Sequence, residues 1–118
     1  MLLERIELPL SSQNALLRHL GADVLAEIAG DLESYPLQFG DVIFGADDVQ
    51  KHVLFVTTGI VSSLAELADG TSAEIGLVGN EGAIGLGAIL GGSRTAFRSE
   101  VQMDGHAFRI PKNVCTKF

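Results

Sequence analysis

Apolar residues recur at helical spacing near the start of the chain and at period two beyond it. Between 14 and 32 the pattern predicts two helices. Asn14 is placed to cap a short first helix containing Leu16, Leu17 and Leu20, and Gly21 is placed to end it. A second helix is predicted over 22–32. Val24, Leu25, Ile28 and Leu32 share one of its faces, with Asp23, Glu27 and Asp31 on the other. Asp23 falls in its first turn, where a negative charge suits the helix dipole.

After Tyr35-Pro36 the pattern changes to short strands between turns. In "LQFGDVIFGADD", Gly40-Asp41 separates two apolar pieces and reads as a tight turn. "HVLFVTTG" is a strand dense in β-branched and aromatic residues, ended by Gly59. "IVSSLAELADGTSAEIGLVG" reads as two strands joined by a hairpin at Asp69-Gly70. Further on, Phe97, Ser99, Val101 and Met103 alternate with Arg98, Glu100 and Gln102. Asp104-Gly105 is then expected to turn the chain, after which Phe108 and Ile110 alternate with Ala107 and Arg109. That predicts a half-buried antiparallel hairpin.

The expected fold is mainly β, an antiparallel double-sheet jelly roll of about seven or eight short strands with N-terminal helices. A helical lid covers roughly 14–33, a β-roll roughly 34–111, in one domain spanning 1–118. Pro111 stops the last strand, and "PKNVCTKF" begins a further helix over 112–118, with proline tolerated in its first turn.

Composition narrows the class. At 118 residues and 47% hydrophobic, the chain can bury one core, and disorder is not expected. Glu4 and Glu7 interrupt the apolar N-terminus, so no signal peptide is read there, and no apolar run reaches membrane-spanning length. Cys115 is the single cysteine, so no internal disulfide forms, which fits the cytoplasm. The net charge is −7, and the pI is near 4.7. Basic residues concentrate late: Arg5, Arg18 and Lys51 precede residue 94, and five follow from Arg94 onward. An acidic chain of this kind is a poor candidate for touching DNA itself.

The candidate chemistry centres on "GNEGAIGLGAILGGSRTAF", residues 79–97, which holds six of the fourteen glycines. A glycine-rich turn lets backbone N–H groups converge on an anion, because no Cβ blocks the approach. Arg94 can give phosphate a bidentate fork, and Thr95 adds a hydroxyl. The plain alternative is glycine packing at a turn with a surface arginine. No Gly-Lys-Ser/Thr follows, so this is not a triphosphate P-loop, and "GAIGLG" lacks the βαβ setting of a dinucleotide site. His19, His52 and His106 form no metal-spaced pair, so a cupin-type metalloenzyme is a third, weaker reading. Cys115 lies near Lys112 and Lys117 without a base–nucleophile motif, and Asp47-Asp48 reads as a loop.

"LQFGDVIFGADD", "HVLFVTTGIVSSLAELADGTSAEIGLVGNEGAIGL" and "SRTAF" together resemble the sensor domain of the Crp/Fnr family of bacterial transcription regulators, over roughly 14–112. That domain belongs to the cyclic-nucleotide-binding β-roll superfamily. The resemblance implies a phosphate-binding cassette in which Gly85 is the first glycine and Gly87 lies in the turn. It implies that Arg94 pairs with phosphate, with Thr95 as hydroxyl partner and Ala96 as the small residue after it. Leu86 stands where nucleotide-binding members carry the glutamate that accepts from the ribose 2′-OH. A ribose hydroxyl buried against leucine would go unsatisfied, at a cost of about 1–3 kcal/mol. The cassette thus implies an anionic effector, with its phosphate half kept and its ribose half lost, which counts against cyclic AMP. Glu81 is the nearest carboxylate, and it could serve only in a shifted register.

The resemblance further implies a homodimer formed through the helix after Pro111. It implies DNA binding only through a C-terminal winged helix-turn-helix that this chain lacks, and the interrupted apolar runs give no expectation of a membrane partner. A four-cysteine iron–sulfur cluster is excluded within the chain. Two readings stay open: an effector-sensing, non-enzymatic regulatory domain, or a degenerate β-roll without nucleotide that serves as a dimerisation or protein-interaction module.

Overall fold

The structure is a computed structural model and describes residues 14–45, 51–85 and 97–115. Among the described residues two short helices come first, α1 (Ala15–His19) and α2 (Gly21–Ile28), followed by a 3₁₀ turn (Ala29–Asp31). Six strands follow among the described residues: β1 (Glu33–Leu37), β2 (Val42–Phe44), β3 (His52–Glu66), β4 (Ser72–Val78), β5 (Ala83–Ile84) and β6 (Arg98–Pro111). A helical turn, α3 (Lys112–Cys115), closes the described chain.

All strand pairs are antiparallel. The order β1-β6-β3-β4 forms the spine, with β2 also on β6 and β5 also on β3. The mainly β jelly-roll expectation is met, and both halves of the roll are carried by the same two long strands. In the near half, the first part of β3 pairs with β5 and with the last part of β6, which also holds β1. In the far half, the last part of β3 pairs with β4 and with the first part of β6, which also holds β2.

Two expectations are corrected here. Gly59 does not end a strand, because β3 runs through it to Glu66. Asp104-Gly105 does not reverse the chain, because β6 is continuous from Arg98 to Pro111. The two glycines lie against each other where the register of the two long strands shifts. A Cβ on Gly105 would lie 2.2 Å from the Thr58 carbonyl oxygen, and one on Gly59 would lie 2.7 Å from that of Met103. Gly59 also has φ +87°, a backbone state that suits glycine. Glycine is needed here so that two backbones can touch while their strands bulge, and a bulge is what bends a strand. The Thr57 hydroxyl donates to the His106 carbonyl at 2.8 Å, which satisfies an acceptor at the irregular register.

Other expectations hold. Asn14 caps α1, its side chain accepting from Leu16 and Leu17 N–H. The turn at Gly40-Asp41 separates β1 from β2, closed by Asp41 N–H on the Gln38 carbonyl at 3.0 Å. The hairpin at Asp69-Gly70 joins β3 to β4, with Glu66 opposite Ser72. The second helix is shorter than expected. It ends at Ile28, and the 3₁₀ turn carries the chain on to Leu32, whose N–H reaches both the Ile28 and Ala29 carbonyls.

The core has two parts separated by the near-half sheet. On one side Leu17, Leu25, Ile28 and Leu32 of the helical layer meet Val53, Phe55, Phe108 and Ile110, with Val114 of α3 packed against them. On the other side, inside the roll, are Leu37, Phe44, Leu54, Val56, Val61, Ile84, Val101 and Ala107. Successive residues of β3 therefore enter opposite cores, which is why "VLFV" is apolar without alternation.

Candidate functional site

Of the glycine-rich segment, the structure describes 79–85, which include β5, and Phe97, just before β6. β5 is short, yet its place is fixed on both sides of the sheet. Ile84 pairs with Leu54 and is buried inside the roll, and Ala83 pairs with Phe55 and packs against the helical core. Gly85, the expected first cassette glycine, follows at φ +101°, a conformation that favours glycine. Leu86, Gly87, Arg94, Thr95 and Ala96 lie outside the described residues, as do Asp47 and Asp48.

The loop before β5 is ordered by its own groups. Gly82 N–H donates to the Gly79 carbonyl at 3.3 Å. The Glu81 carboxylate accepts from Gly79 N–H at 3.0 Å. That backbone donor, with the residue's own N–H, holds the Glu81 carboxyl below its ordinary range. Glu81 therefore serves its own turn from an exposed position. The loop is then tied outward: Gly82 accepts from the Asn14 side chain at 2.8 Å, and Asn80 accepts from Ala15 N–H at 2.8 Å.

The three histidines are scattered. His19 sits in the last turn of α1. His52 opens β3, and burial together with the nearby Arg109 charge lowers its pKa. His106 lies between two hydroxyls, Ser34 at 2.6 Å from Nε2 and Thr57 at 3.3 Å from Nδ1, with its ring edge-on to Phe108. Thr57 spends its proton on a carbonyl, so it accepts from Nδ1–H, and Ser34 then donates to Nε2. Burial lowers the His106 pKa, which agrees with that neutral tautomer. Among the described residues no three His, Cys, Asp or Glu side chains gather as metal ligands. The Cys115 side chain lies outside the described ones.

Charges on the sheet pair locally. Arg109 donates from Nε and Nη2 to Glu33 and lies 5.2 Å from the centre of the Tyr35 ring. Arg98 reaches Glu100 at 3.4 Å and the Ser72 hydroxyl at 3.3 Å. No helix among the described residues is long and apolar enough to cross a membrane.

The residue that sequence reasoning undervalued is Asn14. Its capping oxygen was legible from its place before an apolar run. Its amide nitrogen, which reaches Val56 and Gly82, was not, because those partners lie 42 and 68 residues away.

With this geometry in place, the family model for the cyclic nucleotide-binding domain matches residues 36–118. No curated protein is similar enough in sequence to match the chain. Solved structures share its fold at low identity. The sensor domain of the transcriptional regulator DNR from Pseudomonas aeruginosa superposes with a TM-score of 0.83 at 13% identity, covering 99% of this chain and 79% of that one. The N-terminal domain of a transcriptional regulator from Streptomyces coelicolor gives 0.75 at 19% identity, covering 88% and 72%. The regulatory subunit of a cAMP-independent protein kinase A from Trypanosoma brucei gives 0.83 at 14% identity, covering 92% and 40%. Against several longer solved chains, this chain spans only 51%, 40% and 43% of their length.

Proposed function

Because the chain belongs to the cyclic nucleotide-binding domain family, we propose that it is the effector-sensing domain of a Crp/Fnr-type transcription regulator. It is a regulatory module that acts without catalysis, in the cytoplasm. The observation that carries this reading is the turn at Gly85. It follows a strand that packs on both sides of the sheet, through buried Ile84 and half-buried Ala83, and opens the segment that leads to Arg94 and Thr95. The likeness to two regulator sensor domains supports it.

In this reading the effector is anionic. Gly85 and Gly87 let backbone N–H groups approach it, Arg94 pairs with its phosphate or carboxylate, Thr95 adds a hydroxyl, and Ala96 leaves room. Leu86 offers nothing to a ribose hydroxyl, which disfavours cyclic AMP. The fold does not fix the choice, since the cAMP-independent trypanosomal subunit and its cAMP-bound triple mutant both superpose on this chain. Binding biases the helix that starts at Lys112, and through it a homodimer partner and a separate DNA-binding domain. The energy for that bias comes from contacts made better in one arrangement than in the other.

The test is a thermal-shift screen with cyclic AMP, cyclic GMP, cyclic di-GMP and inorganic phosphate, followed by calorimetry. At least one anion is expected to raise the melting temperature. Arg94→Ala should then remove a charge-assisted contact of about 1.5–3 kcal/mol, roughly ten- to hundredfold in affinity. If none of the four raises the melting temperature, the domain is a ligand-free interaction module instead. Unchanged affinity in the variant would take Arg94 out of the site.

A further inference from the structure

Asn14 is fully buried, and its side chain makes four hydrogen bonds that join three separate segments. Oδ1 accepts from Leu16 and Leu17 N–H at 3.0 and 3.1 Å. Nδ2 donates to the Val56 carbonyl of β3 at 2.7 Å and to the Gly82 carbonyl at 2.8 Å. The reverse orientation would set NH2 against two N–H groups and oxygen against two carbonyls, so the partners fix the amide.

Capping a helix needs only the oxygen, and serine, threonine or aspartate would supply it equally well. The nitrogen is surplus to capping, and it is the nitrogen that holds the loop. We propose that Asn14 is a positioning residue for the loop 79–85, fixing the entry to the glycine-rich segment onto the helical layer and β3 together. The other bonds of the 79–82 turn are mostly internal: Gly82 to Gly79, and Glu81 to Gly79. Apart from β5, which pairs with β3 and packs in both cores, its hydrogen bonds to other described residues pass through Asn14 and the adjacent Ala15 N–H. Val56 is 0% exposed, so water does not replace the lost donor there. One turn into α1, Leu17 enters the core cluster against which Val114 of α3 packs. The loop, the first helix and the last helix thus share one continuous contact path.

The tie stands on geometry alone. Only its consequence for affinity rests on the ligand-sensing reading. Asn14→Ser and Asn14→Asp both keep an oxygen for the helix cap, and neither can serve the two carbonyls as the amide does. Amide hydrogen exchange is followed by NMR on the ligand-free full chain. The Ala15 and Gly82 amides should exchange at least about tenfold faster in the variants, while Val101 N–H, bonded to the Asp41 carbonyl in the far half, changes less than about threefold. Unchanged loop amides, an equal acceleration at all sites, or failure of both variants to fold would each overturn the proposal. Whichever of inorganic phosphate and cyclic AMP the native chain binds should bind several-fold more weakly to a folded variant. An unaltered affinity would deny the loop's role in placing the ligand segment. If the native chain binds neither, the exchange result alone decides the tie.

Discussion

β3 and β6 pass through both halves of the roll, yet the two halves are built differently. In the near half, Val53 and Phe55 face the helical layer and Leu54 and Val56 face the interior, all of them buried. In the far half the interior is again apolar, with Val61 and Val101. The edge strand β4, however, leaves Ile75 and Leu77 about half exposed, at 51% and 55%. β3 thus reads as a continuous apolar run in the near half and as a mixed sequence in the far half, where Ser62 is buried beside Val61 and the exposed apolar side chains belong to the edge strand β4. A strand's composition reports what lies over it more than what it pairs with.

The largest expected effect tests that contrast directly. Phe108 is buried at the centre of the helical-side cluster, and Phe108→Ala should cost about 3–5 kcal/mol in urea unfolding. Ile75→Ala in the far half should stay within about 0.5 kcal/mol, like other exposed substitutions. Similar losses at both sites would erase the distinction. Next comes the joint between the halves. Gly105→Ala drives a methyl into the Thr58 carbonyl and should destabilise by about 1–3 kcal/mol or more. A neutral result would mean the strands part easily there.

The smallest effect is a pH dependence of the near half. His52 and His106 both have folded-state pKa values lowered from 6.5, chiefly by burial. The unfolded chain therefore binds protons first, and stability is full at alkaline pH. It falls as pH drops through about 6.5 and levels off below the folded values. Below that window, Asp69 and Glu81 lose the hydrogen bonds that hold their carboxyls low, and stability falls again as they protonate. The melting temperature of His106→Asn should decline less steeply than that of the native chain between pH 8 and pH 5. Parallel profiles would assign the slope to other groups.

The helices, the Gly40-Asp41 turn and the Asp69-Gly70 hairpin were legible because each is decided by neighbours in sequence. Gly59 and Asp104-Gly105 were misread for a physical reason. A glycine looks the same to a local reading whether the chain reverses or two strands press together. What distinguishes the cases is a carbonyl of the facing strand, 2.2 Å from where the Cβ of Gly105 would be. The candidate site divides the same way. Gly85 takes φ +101°, a conformation its residue type allows, while its cassette role is implied by resemblance alone. The second duty of Asn14 depends on two carbonyls far along the chain, and no spacing rule reaches them.

The Asn14 contacts also bear on where the molecule can be cut. The family match begins at residue 36, well after both helices. A fragment trimmed to that boundary would keep every strand after β1 while shedding the layer that covers Val53, Phe55, Phe108 and Ile110. It would strip the Val56 and Gly82 carbonyls of their donor at the same stroke. Such a piece would present an apolar sheet face to solvent and invite self-association, so the smallest faithful fragment starts upstream of Asn14.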